Sequence, residues 1–434
     1  MMTAFFILVE LATVFYAAYL LLKKQELAII YIPTLLFAQT VITPVLPAIL
    51  GYLMFSGIIA FFIYKNPLFF TNNFFSVLLI ALTIFLIPKA SDLVAIRPYL
   101  FSVFWLFLLI PLIISIYRKY YGRIIFQELA IASFVILCLF IVNVILSSIA
   151  GYAPHAMYGI TSGILYGNLY ATDFNILAIA CFIVLLNAMG KRNVIFLAVF
   201  VIAISFILLS MRRSVMGLSA LGVAFTMGIF LTPQNFKSTL GFTFFLVFVG
   251  FIIIINTSFM DLFAERYDLR DLDDRELGEE KRFLEYDLIF TDMFVYQDYS
   301  PWTGYELFNS GGNYGKGVLG TRTLHADITS ILHSFGIVGL ILYLGMFGTA
   351  FKQAHTQATS RADYMIFLFC ALVFVVYTIT GRYTNIGNFV LLVLLLMLPT
   401  TKKKRLGTNR FKHLQNNKGV ITENVSGANL VYNE

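Results

Sequence analysis

The chain has 434 residues, of which 59% are hydrophobic and 12% charged, with 30 Lys and Arg against 23 Asp and Glu. A mean hydropathy of +0.85, with well under the roughly 25% charge of an ordinary soluble domain, excludes a water-soluble globule and makes the lipid bilayer the solvent for most of the chain. The net charge of +7 sits in short connections, so it reads as membrane orientation and calls for no nucleic-acid partner.

A helix crosses the hydrocarbon with about 17 to 25 apolar residues, and such runs recur through the sequence. They are apolar all round rather than alternating, which predicts helices and not barrel strands. In chain order the predicted spans are 3–22, 27–43, 46–64, 74–94, 99–117, 124–149, 172–189, 194–210, 215–231, 240–257, 326–351 and 364–380, with 389–399 as a shorter, tilted last one. The fold class is therefore an all-α polytopic transmembrane bundle of 12 or 13 spans. Pro33, Pro44 and Pro47 leave open whether one kinked helix or two separate ones stand there. The first run lacks a basic leader and a small-residue cleavage site, so it is expected to stay as a span. Cys138, Cys181 and Cys370 all fall in apolar runs without a CxxC pair, which argues against a disulfide framework or thiolate metal site.

Four regions follow: N-terminal helices over 1–257, one large extracytoplasmic loop over 258–324, C-terminal helices over 325–400, and a polar cytoplasmic tail over 401–434, expected to lack fixed structure. Alternating spans put Lys23, Lys24, Arg118, Lys119, Arg123, Lys191, Arg192, Lys237, Lys352, Arg361 and the 402–405 cluster on one side, which the positive-inside rule makes cytoplasmic. The 258–324 loop then faces outward. It carries fourteen acidic and seven basic residues, a net −7 in a chain that is +7 overall.

Three places in this frame stand out. Between spans 194–210 and 215–231 the chain turns on Ser210-Met211-Arg212-Arg213-Ser214, two arginines on the outer side against the positive-inside bias. An arginine at a helix centre costs roughly 2.5 to 3.5 kcal/mol on insertion scales. Such a pair either snorkels to lipid phosphates or serves an anionic ligand, and charge alone weighs the two equally. In the loop, EEKRFLEY (279–286) resembles an amphipathic helix that could lie against the membrane face; Arg282 on its own would be an ordinary ion-paired surface residue. The loop ends at His325-Ala326-Asp327, where a helix N-terminus disfavours imidazolium while Asp327 opposes that effect. A neutral histidine there is a competent general base for a hydroxyl. Gly336 follows by eleven residues, about three turns, which predicts a shared helix face on which Gly336 and Gly339 admit a neighbouring helix. His333 reads as a packed or lipid-boundary side chain, and His155, His355 and His413 as loop or tail residues.

Taken together, Arg213 in SMRRSVMG, Arg282 in EEKRFLEY, Ser300-Pro301-Trp302-Thr303-Gly304, and His325 with Gly336 and Gly339 resemble, in order and spacing, the O-antigen ligase and Wzy-type O-antigen polymerase superfamily of bacterial envelope glycosyltransferases. The resemblance covers roughly 171–397, and Ala326 stands where that family usually has asparagine or serine. It implies a multi-pass protein of the bacterial inner (plasma) membrane with a periplasmic site, acting in lipopolysaccharide or other cell-envelope polysaccharide biosynthesis. The donor would be a saccharide on undecaprenyl diphosphate, and the acceptor lipid A-core for a ligase or another glycan repeat unit for a polymerase; the ligase reading is preferred. His325 would be the general base, with Arg213 and Arg282 gripping the diphosphate and stabilising its developing charge. Arg212, Arg322 and Asp327 would join the substrate-binding set, Arg213 being preferred to Arg212 as the main hairpin arginine. The transfer needs no cofactor or metal, and Asp271, Asp273 and Asp274 do not form a DxD-like cluster beside the site. A flippase or transporter is the alternative of a different class, although transporters usually show internal repeats and charges at mid-membrane.

Overall fold

The computed structural model describes residues 2–40, 42, 44–150, 164, 167–169, 172–268, 281–380 and 386–403. It is 81% helical, without a strand among the described residues. In lipid every backbone polar group must be satisfied within the chain, and helices do this locally. Among the described residues, eight helical stretches are long and apolar enough to cross a membrane, and four shorter apolar helices lie among them. The polytopic all-α bundle expected from composition is the observed architecture.

The first half comprises α1 (Met2–Lys24), α2 (Ile32–Thr40), α3 (Ala48–Lys65), α4 (Phe74–Leu86), α5 (Leu93–Tyr117) and α6 (Gly122–Ala150). The prolines at its start separate helices: α1 passes through the 3-10 turn Gln25–Tyr31 into α2, which carries Pro33 in its first turn, and Pro47 is the N-cap of α3. Proline is tolerated in a first turn because the N–H it lacks would be unsatisfied there anyway. The predicted break between α4 and α5 moves. α4 ends before Pro88, and α5 begins at Leu93, upstream of Pro98, because Asp92 caps it by accepting from Val94 and Ala95 N–H.

The second half contains α7 (Asn175–Lys191), α8 (Val194–Ser210), α9 (Arg213–Phe230) and α10 (Phe236–Asn256). Two short loop helices follow, α11 (Phe259–Asp268) and α12 (Lys281–Phe290), and then α13 (Asp327–Gln357), α14 (Arg361–Thr380) and α15 (Ile386–Leu396). α7 and α15 are the buried centre: α7 packs against α6, α8, α9 and α15, and every residue of α15 is buried. Residues 404–434, nearly all of the expected tail, lie outside the described residues, as do His155, His413 and the acidic stretch 271–280.

The helix ends sort by charge. At one end Lys119 Nζ and Asn66 Nδ2 both donate to Glu26, at 2.6 and 2.7 Å. Arg118 and Gln353 both reach Asn72, Lys403 Nζ donates to the Gln357 carbonyl, and the Lys402 N–H donates to Tyr120. At the opposite end the 258–324 loop closes on the α4–α5 turn, where the buried Glu306 carboxylate accepts from Ser91 N–H and from Asn309 Nδ2. Burial pushes the Glu306 carboxyl up, but the donors from Ser91, Asn309 and Asp92 outweigh it and leave it below its usual value.

Arg118, Lys119, Lys402 and Lys403 therefore gather at one end of the bundle and the acidic loop at the other, where Lys89 of the α4–α5 turn also stands. Cysteines placed at Lys403 and at Thr321, both exposed, are expected to differ in intact cells: a membrane-impermeant maleimide labels one and reaches the other only after lysis. Labelling of both in intact cells would mean that the bilayer does not separate these ends.

Candidate functional site

α12 presents two faces. Glu285 and Ile289 of α12 and Met293 of the π-helical turn that continues it, Thr291–Tyr296, are fully buried, and Asp292 of that turn is 2% exposed. Ile289 and Met293 pack with Tyr314 and Leu324, beside Leu288, Tyr299 and Leu332, so the loop chain runs down alongside the first turns of α13.

At the head of this pairing a carboxylate is enclosed by donors. Arg322 Nε donates to Glu285 Oε1 at 3.0 Å, the His325 backbone N–H donates to Oε2 at 2.9 Å, and His325 Nδ1 lies 2.9 Å from Oε1. The Glu285 side chain is 0% exposed, against 28% for His325 and 27% for Arg322. Burial raises the Glu285 pKa, but the His325 side chain and backbone and the Arg322 hydrogen bond lower it further, and the net shift is downward. The carboxylate is therefore ionised at neutral pH and can only accept. That assigns the proton between the two groups to His325 Nδ1, the arrangement by which a carboxylate orients a histidine ring.

His325 lies one residue ahead of Ala326, the N-cap of α13, and Asp327 is fully buried in the first turn. Farther on, the expected face shared by His325 and Gly336 is not formed. α13 breaks at Gly336, whose φ is +66° and ψ −166°, a conformation that an L side chain rarely adopts. Nor does a helix approach there. The Ser300-Pro301-Trp302-Thr303-Gly304 turn does so instead: Pro301 O and Trp302 O accept from Ile337 and Val338 N–H at 2.8 and 3.4 Å, and Tyr305 N–H donates to His333 O at 2.7 Å. The backbone groups freed by the break are thus satisfied by the turn. A Cβ at Gly336 would lie 2.4 Å from Trp302 C and O, and one at Gly304, with φ +74°, would lie 2.4 Å from His333 O. At Gly339 a helix does approach: an added Cβ would lie 3.7 Å from Leu82 Cδ2 of α4, besides 2.0 Å from Phe335 Cβ of its own helix.

His333 is a packed side chain. It is buried against Tyr299, Tyr305 and Tyr314, and its Nε2 donates to Asn313 O at 3.1 Å. Beside it Asp292 Oδ2 accepts from Gly315 N–H at 2.6 Å. Burial raises the Asp292 carboxyl, with the Asp298 charge adding to the shift.

The arginine hairpin forms as the sequence suggests. Met211 in the left-handed region ends α8, and Arg212 is the N-cap of α9. Arg212 is half-buried, with its guanidinium 5.8 Å from the Phe174 ring at the head of α7, whereas Arg213 is exposed. Of the six residues singled out, Arg322 and His325 meet directly through Glu285, and Asp327 is buried two residues beyond. Arg212 and Arg213 stand on a separate hairpin. Arg282 lies in the first turn of α12, one helical turn before Glu285, but its side chain is outside the described residues. Sequence reading missed Glu285, one of fourteen acids in the loop. The available signal was its place on the stripe with Ile289 and Met293. Among the described residues no three His, Cys, Asp or Glu side chains gather as metal ligands.

Two outcomes follow from this geometry. Gly336→Ala is expected to lower thermal stability in detergent by several degrees, since a strained backbone costs about 1–3 kcal/mol before the clash with Trp302. Gly348→Ala, where a Cβ meets nothing within 4 Å, should leave it unchanged. Because the Glu285 pKa is lowered in the folded state, its contribution to stability is present above the unfolded value of 4.5 and is lost as the pH falls through the folded-state value. Acid titration of unfolding should show this loss in the wild type, and Glu285→Gln should remove it. Set against known proteins, the chain matches no family model and no curated sequence.

Proposed function

We propose that the protein is a membrane glycosyltransferase of the O-antigen ligase type, moving a saccharide from undecaprenyl diphosphate to an acceptor hydroxyl, that of lipid A-core, on the outer face of a bacterial inner membrane. The observation that carries this reading is the buried Glu285 carboxylate holding His325 Nδ1 beside Arg322, a base and a cation on one carboxylate at the loop end of the bundle. The sequence resemblance supports it, and two of its separate motifs meet in space: Pro301 and Trp302 of the 300–304 turn accept from Ile337 and Val338, directly after Gly336.

The chemistry is a single displacement. The acceptor hydroxyl oxygen attacks the anomeric carbon, and its proton passes to His325 Nε2. The bond from that carbon to the diphosphate oxygen breaks, and the diphosphate leaves with the electron pair, inverting the configuration. Glu285 fixes the tautomer and the ring orientation. Negative charge on the departing diphosphate is met by guanidinium groups, which bind phosphate oxygens in bidentate fashion: Arg282 and the Arg212–Arg213 hairpin, with Arg322 beside the base. The half-buried placement of Arg212 supports counting it in the diphosphate set beside Arg213, the preferred hairpin arginine.

In cells, His325→Ala and Glu285→Gln are expected to abolish glycan transfer, a loss of at least about a hundredfold for a general base, with membrane insertion intact. Normal glycan product with His325→Ala would refute the role. Deleting the gene separates the acceptors: lipid-linked polymer that accumulates unattached marks transfer to lipid A-core, whereas surface glycans of a single repeat mark transfer to another repeat unit.

A further inference from the structure

We infer that the loop segment from Phe294 to Trp302 is seated in the outer headgroup layer of the bilayer, and that the hydrocarbon begins at the Gly336 break of α13 and not at its first residue. This rests on packing alone and holds whatever reaction the site carries out.

α13 changes surroundings at the break. From Asp327 to Gly336 none of its residues is exposed, and Asp327, Thr329, Ser330, His333 and Ser334 are buried there. The loop wraps this half. Beyond the break Val338, Ile341 and Leu344 are exposed, as lipid-facing side chains of a spanning helix would be. The apolar stretch that remains, Ile337 to Phe351, is closed by Lys352 and Gln353 at its other end and is roughly 22 Å long at 1.5 Å per residue, a short span of the kind a bilayer meets by thinning locally. The upper half, 327–335, then stands above it by roughly 13 Å.

The loop descends to that level. Glu285 meets His325 at the top, Tyr299 meets the His333 ring lower down at 5.4 Å, and Pro301 and Trp302 bond to Ile337 and Val338 at the break. The apolar side chains on the outside of this descent are uncovered: Phe294 is 43% exposed, Val295 64%, Tyr296 49% and Trp302 64%. Trp302 is bonded through its carbonyl to Val338, the first exposed residue of the lipid-facing helix, so the uncovered patch is continuous with the lipid-facing surface. Lys316 Nζ lies 3.5 Å from the Tyr296 ring centroid. Trp and Tyr prefer the membrane interface, and lysine snorkels to phosphates from there. Exposed Gln297 and Asp298 set the depth: they fit the headgroups and exclude the hydrocarbon.

Trp105 and Trp302 are the two tryptophans of the chain, which permits a direct test. Full-length Trp105→Phe protein in phosphatidylethanolamine–phosphatidylglycerol nanodiscs leaves Trp302 as the reporter; if that variant fails to fold, the difference between wild type and Trp302→Phe gives the same reading. Lipid-borne nitroxides near the headgroups are expected to quench Trp302 several-fold more than nitroxides at the bilayer centre, and aqueous iodide to quench it weakly. Strong iodide quenching with no response to lipid-borne nitroxides would overturn the inference. So would shielding from both, which would mean that another protein surface covers the patch.

Discussion

A carboxylate taken out of water must be met by donors or give up its charge, and in this protein Glu285 is met from three directions. The arrangement governs more than one side chain. To supply the donors, the end of the loop must bring Arg322 and His325 over α12, and α12 must turn its Glu285 face toward α13. Removal of a single partner from a buried charge costs roughly 3–5 kcal/mol, which ties the ordering of the loop to the same contacts that orient the histidine ring. The site and the tertiary structure around it are one hydrogen-bonded unit.

Below that unit, a second constraint acts through backbone geometry. The left-handed conformation of Gly336 interrupts the ladder of α13, and the turn containing Pro301 and Gly304 supplies the missing partners. Glycine at both positions is explained by the approach of one backbone to another within a distance that excludes a Cβ. The loop is therefore held twice, by charge at its upper end and by main-chain hydrogen bonds at its lower end, with the Ile289, Met293, Tyr314 and Leu324 cluster between them.

The bundle was legible in the sequence because the hydrocarbon solvent imposes long apolar helices, and the spans read from hydropathy reappear within a few residues. Errors fell where a local cap overrides a proline, as Asp92 does ahead of Pro98, and where a regular helix was extrapolated through a glycine. The eleven residues from His325 to Gly336 suggested a common face because periodicity assumes an unbroken helix; φ at one residue cancels it. Glu285 was hidden for another reason. Its role depends on a pairing across forty residues of chain, and nothing local distinguishes it from thirteen other acids except the apolar company it keeps on α12. For the adjacent arginines, the cap goes with different surroundings: with Met211 left-handed and Arg212 at the N-cap, Arg212 is half-buried beside Phe174 and Arg213 is exposed.

The borrowed hydrogen bonds at Gly336 also bear on how the chain is assembled. In the upper half of α13 the His333 carbonyl accepts from Tyr305, and the lower half opens on Pro301 and Trp302, residues that precede α13 in the chain. Completing α13 at the break thus requires the 300–305 turn to be in place, so the preceding loop segment serves as a template for the helix that follows it.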